Sequence, residues 1–207
     1  MMADLRAELG ATPSPALPEF SLVLPSGWEE FEPTAAVERE LLDRARGRLQ
    51  AAHRPDLLAQ LRAITGKAFG GMRSSDTVRF YAQTQAWGDD LLLPLSITAS
   101  VRRAPGGGSL SSLVADLIRS KGATALHDDK RFVRWESSSP IEMGTATLQQ
   151  YSTAYLTPVP GSEHRAALQL TAVVAAPADG TVARTDPFVS QMFLLTDAIV
   201  STLRWNA

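Results

Sequence analysis

The sequence predicts an α+β fold: a central antiparallel sheet of about six strands flanked by helices as an α/β/α sandwich, with an inserted helical hairpin. Three observations carry that expectation. The hydrophobic period is helical before Thr77 and becomes two from Thr77 onward. The segments then run strand, strand, helix, strand, strand, strand, helix, without the regular strand–helix alternation of a parallel sheet. The long alternating segments also keep one apolar and one polar row, as antiparallel strands do.

Met1 to Glu19 reads as a flexible tail, because Pro13, Pro15 and Pro18 deny it regular hydrogen bonding. Residues 20–207 are expected to form a single domain. Phe20 to Leu24 reads as a short strand ending at the turn Pro25-Ser26-Gly27, with Trp28 following. Thr34 is placed to cap a helix with Leu42, Ala45 and Leu49 on its apolar stripe. Pro55 restarts a second helix carrying Leu58, Leu61, Ile64, Ala68 and Met72. Together they make a helical hairpin over residues 34–73.

From Thr77, Val78, Phe80 and Ala82 face one way and Arg79, Tyr81 and Gln83 the other. Gly88-Asp89-Asp90 is the turn into a strand running from Leu91 to Val101, with Pro94 at an edge or bulge. After the break at Gly106-Gly107-Gly108, Ser109 starts a helix that Lys121-Gly122 ends. Strands follow at Arg131 to Glu136, Thr145 to Thr157 and Ala166 to Val174. Asp186-Pro187 then caps a closing helix bearing Val189, Met192, Phe193, Ile199, Val200 and Leu203.

Composition narrows the function classes. The chain has 207 residues, 44% hydrophobic and 20% charged, which fits a globular protein with a sizeable core. It has no cysteine, which removes disulfides, thiolate zinc sites and thiol catalysis. A net charge of −2 argues against nucleic acid as a partner. No apolar run reaches the roughly 20 residues of a spanning helix, and no signal-peptide core is visible. A cytoplasmic protein without membrane insertion is the expectation.

No motif places a nucleophile, a phosphate loop or a metal cluster. His127-Asp128-Asp129 and Asp89-Asp90 read as solvated turns, since neighbouring carboxylates do not converge on one substrate. Ser162, Glu163 and His164 lack the Gly-x-Ser-x-Gly context of a triad, and His53 sits at the helix–helix junction. Gly106 to Gly108 meets neither the dinucleotide nor the P-loop pattern. No catalytic residue, metal or cofactor is expected. Arg39, Arg44, Arg46, Arg48, Arg54, Arg62, Lys67 and Arg73 give the hairpin a basic excess. Interleaved Glu38, Glu40, Asp43 and Asp56 favour a solvated face over a docking patch. Among the tryptophans, Trp28 and Trp205 read as core-edge packing and Trp87 as exposed.

Three features resemble a known family: the opening strand into Leu24-Pro25-Ser26-Gly27-Trp28, the paired strands before the Ser109–Lys121 helix, and the closing helix Asp197-Ala198-Ile199-Val200-Ser201-Thr202-Leu203-Arg204. Over most of Phe20–Trp205 the chain resembles the PsbP-like family, which includes the Ran-binding Mog-type proteins and bacterial relatives. The resemblance implies an α/β/α sandwich without a single fixed function. The hairpin is longer than that pattern.

The functional expectation is a non-catalytic protein-binding module, an adaptor or secretion chaperone, with an unidentified protein partner and a homodimer as a further option. Its binding surface is expected at Tyr81, Gln83 and Trp87, because aromatic residues anchor contacts. The alternative is a binder of an apolar small molecule in a pocket between sheet and helices, with Met72, Met143 and Met192 as lining candidates.

Overall fold

The computed structural model describes residues 17–51, 53–54, 56–88, 91–104, 109–143 and 146–206. Its strands are β1 (Phe20–Ser21), β2 (Trp28–Phe31), β3 (Thr77–Gln83), β4 (Leu95–Arg103), β5 (Thr124–Leu126), β6 (Asp129–Met143), β7 (Ala146–Pro158), β8 (Ala166–Pro177) and β9 (Arg204–Trp205). Its helices are α1 (Ala35–Ala51), α2 (Leu57–Ser74), α3 (Ser111–Lys121) and α4 (Pro187–Ser201).

Seven strands form one sheet in the order β2-β3-β4-β8-β7-β6-β5. Every pairing in it is antiparallel. The fold class is therefore the expected one, with an extra edge on each side. The sheet is two meanders joined where Leu95 to Arg103 pair with Val174 to Ala166. β1 does not join it: Phe20 pairs with Trp205 and Ser21 with Arg204 in a separate two-stranded ribbon. The expected Phe20–Leu24 strand thus shrinks to two residues, and its partner is the chain's end.

Helices cover both faces. The main core lies on the α4 face, where Tyr81, Ile97, Leu168, Leu170 and Tyr155 meet Val189, Phe193 and Val200. α4 is anchored as its sequence dictates: the Asp186 side chain accepts from Phe188 N at 2.8 Å, and Pro187 occupies the first turn. On the opposite face, Phe31, Phe69 and Phe80 hold the hairpin down. Phe31 stacks on Phe80 at 5.1 Å between centroids, and Phe69 meets Phe80 edge-on at 5.4 Å. Farther along that face, Leu113, Val114 and Leu117 of α3 pack with Leu156, Val133 and Trp135.

A bulge breaks the simple alternation of β3. Thr77 pairs with Ser100 and Arg79 with Ala99, so Val78 is the extra residue. Val78 consequently packs against the main core, while Phe80 and Ala82 face the hairpin. Thr77 and Ser100 share a buried hydroxyl–hydroxyl hydrogen bond of 2.9 Å.

Candidate functional site

The hairpin is held to the sheet by polar contacts along its length, Arg44 reaching Glu29 and Arg48 reaching Thr84 O. Thr34 caps α1 through Val37 N at 3.3 Å, and Arg73 of α2 pairs with Glu38 of α1 at 2.9 Å. Yet α1 buries no residue, and α2 buries only Phe69. The floor beneath explains this. The positions of β3 and β4 that face the hairpin include the small residues Ala82, Ser96 and Thr98, whereas large Tyr81, Leu95 and Ile97 point to the main core. Small residues under a helix pair leave space.

That space is a cavity of about 390 Å³. Leu41, Leu42 and Ala45 form one wall, and Leu61, Ala68, Phe69 and Met72 the other. Thr65, Ser96 and Thr98 supply its hydroxyls, and the Thr98 hydroxyl donates to Thr171 O at 3.3 Å. A second space of about 350 Å³ continues between the helices toward the hairpin tip, sharing Ala45 and Leu61 and bordered by Arg48 and Gln60. Each lies in the roughly 300–1,000 Å³ range of small-molecule sites, with mostly apolar walls and few polar groups.

The expected binding surface is corrected in part. Tyr81 is 0% exposed, against the main core, and cannot contact a partner. Alternation correctly separated Tyr81 from Phe80, but both faces of this sheet are covered. Gln83 is half-buried and braces the β3–β4 connection: its Nε2 donates to Gln85 O at 2.8 Å and Leu91 O at 3.1 Å. Its Oε1 accepts from Leu93 N at 2.8 Å. Trp87, expected to be exposed, is half-buried against the main core, its indole N–H donating to Ser26 O at 2.6 Å. Among the described residues of this connection, Leu91 and Leu92 are the exposed large hydrophobic side chains, at 52% and 48%.

Of the methionines, Met72 lines the cavity, Met192 belongs to the main core on the other face, and the Met143 side chain lies outside the description. His127 and Asp128 occupy the β5–β6 turn, and Asp129 is held by Arg131 at 2.6 Å. His53 and His164 are exposed at separate connections. Asp89, Asp90 and Gly106 to Gly108 lie outside the described residues. Among the described residues, no group of His, Asp or Glu could hold a metal ion, and no helix is long and apolar enough to cross a membrane.

Sequence reading missed a buried polar network on the α4 face. Asp197, 5% exposed, accepts from Arg134 Nε at 2.9 Å and from the Tyr155 hydroxyl. Arg134 also reaches Glu136 at 2.8 Å, and Glu136 accepts from Arg184 Nε at 2.9 Å. Burial pushes the Tyr155 phenol up, and its hydrogen bond to Asp197 pushes it further. Burial opposes the charge on Arg134, but the hydrogen bonds and charges of Asp197 and Glu136 together outweigh it and hold the guanidinium charged. These links join β6, β7, α4 and the loop before α4. Asp197 sits beside Phe193, Thr196 and Val200, which are all buried, so a carboxylate inside the apolar stripe of α4 was the available signal.

The molecule is thus a helix-covered antiparallel-sheet protein with an apolar cavity under a hairpin. No protein-family model and no curated protein sequence matches the chain. Among solved structures it is similar to LpqN, involved in cell envelope biogenesis of Mycobacterium tuberculosis, at 11% identity and a TM-score of 0.42, covering 92% of this chain and 85% of that one. It is also similar to a point mutant of protein Mog1, at 10% identity and a TM-score of 0.37, covering 63% of this chain and 79% of that one. At these scores neither neighbour transfers a ligand, partner or role to this chain.

Proposed function

We propose that this is a non-catalytic binding protein that holds an apolar small molecule between the hairpin and the sheet. The observation that supports this reading is the cavity of about 390 Å³ floored by Ala82, Ser96 and Thr98. The space is an apolar groove between the hairpin and the sheet, and burying apolar ligand surface in it is favourable at roughly 25 cal/mol per Å². The test is binding of the neutral fluorescent dye N-phenylnaphthylamine. The wild type should bind it saturably, and Ala45→Phe, at the junction of the two spaces, should weaken binding at least tenfold. Absence of saturable binding to folded wild-type protein overturns the reading.

A second reading is protein docking through the β3–β4 connection, supported by exposed Leu91 and Leu92 on a loop braced by Gln83. It moves the expected contact from Tyr81 to the loop. A partner retained by the wild type and lost in the Leu91→Asp, Leu92→Asp double variant would support it.

A further inference from the structure

Resting on the apolar-ligand reading, we propose that the occupant is a single-chain amphiphile with an anionic head, its chain lying between α1 and α2 and its head at Arg48. The first argument is shape. The two spaces share Ala45 and Leu61 and run in line along the hairpin, so together they suit a linear chain better than a compact ring system. The second is the gradient of polarity along that line. The sheet end is closed by Phe69, Met72 and Phe80, whereas the tip end is bordered by Arg48 and Gln60.

The third argument is charge. The protein carries a net charge of −2, yet basic residues outnumber acidic ones in the hairpin. Arg44 is matched to Glu29 and Glu40, Arg46 to Asp43, Arg54 to Asp56 and Arg73 to Glu38. Arg39, Arg48, Arg62 and Lys67 have no carboxylate in ion-pair range among the described residues, and of these four Arg48 is the one that borders the groove. Its Nη2 donates to Thr84 O at 2.8 Å, which fixes the side chain and leaves the remaining N–H groups of the fork to meet an oxyanion. The neighbouring Glu29 is engaged by the Thr84 hydroxyl and by Arg44 rather than by Arg48.

The experiment compares two displacers of bound N-phenylnaphthylamine that share one chain, myristate and myristyl alcohol. In the wild type, myristate should displace the dye at about tenfold lower concentration, the worth of one hydrogen bond to a charged group. Arg48→Met should abolish that preference while the dye still binds, and Arg48→Lys should retain most of it. Equal displacement by both compounds, or a preference that survives Arg48→Met, overturns the anionic head and leaves the cavity reading standing. Failure of the dye and both displacers to bind the folded wild type overturns both.

Discussion

Asp197, on the inner side of the closing helix, accepts a hydrogen bond from Arg134, 63 residues earlier in the chain, at 2.9 Å. The pair sits between sheet and helix, where a lone charge is expensive. Arg134→Met should therefore cost about 3–5 kcal/mol, the usual cost of removing one partner of a buried pair. Urea unfolding measures it. A loss under 1 kcal/mol would mean that the Tyr155 hydroxyl alone satisfies the Asp197 carboxylate.

Glu136 gives the same network a pH dependence. Burial raises its pKa, but hydrogen bonds from Arg184 and Arg134 outweigh burial and hold the carboxyl below its ordinary 4.5. A carboxylate lowered in the folded state adds stability that is complete above the unfolded value and is lost as pH falls through the folded value. Stability should be flat from neutral pH to about 5 and decline below that. Glu136→Gln should flatten the decline, read as the melting temperature across pH.

Gly27 sits at a φ of +79°, and a Cβ there would lie 2.7 Å from Gln85 O. Its own carbonyl accepts from Thr84 N at 2.8 Å and Gln85 N at 3.1 Å, so the turn cannot easily move away. Gly27→Ala should destabilise by about 1–3 kcal/mol through left-handed strain and the clash together.

Ala82→Leu tests the cavity from below. The larger side chain would rise from the floor into the space under Leu61 and Met72. Dye binding should fall at least tenfold while the melting temperature holds or rises, because the new atoms fill a void. A large fall in melting temperature would show the space to be too tight to accept them.

Since α1 buries no residue and α2 only Phe69, hairpin amides should exchange with solvent well before those of β7 and β8. Myristate should slow exchange in the hairpin selectively. Equal protection across hairpin and sheet would contradict this.

Much of the fold was legible because it is written locally. The start of a strand at Thr77, the Asp186-Pro187 cap and the Gly122 helix stop each act over a few residues, and each is observed, although the bulge at Val78 breaks the strand's alternation. β2 was not legible: Trp28-Glu29-Glu30-Phe31 has no alternation to read, and its strand state comes from pairing with Phe80 to Gln83. The layer above each strand face was also hidden, which is why Tyr81 was expected outside. The cavity follows from Ala82, Ser96 and Thr98 meeting across β3 and β4, a register that no single segment carries. Of the expected lining methionines Met72 borders this space, whereas Met192 lies on the other face of the sheet.

The join between β4 and β8 has a kinetic consequence. β3 with β4 and β5 through β8 can form from neighbours in sequence, but Phe31 must find Phe80 across the hairpin and Arg103 must find Ala166 across α3 and the whole β5–β7 segment. Closing that long loop costs entropy before the ladder rewards it. The two halves of the sheet can therefore gather separately, and substitutions that weaken the β4–β8 ladder are expected to slow refolding more than those in the local hairpins, read by stopped-flow fluorescence.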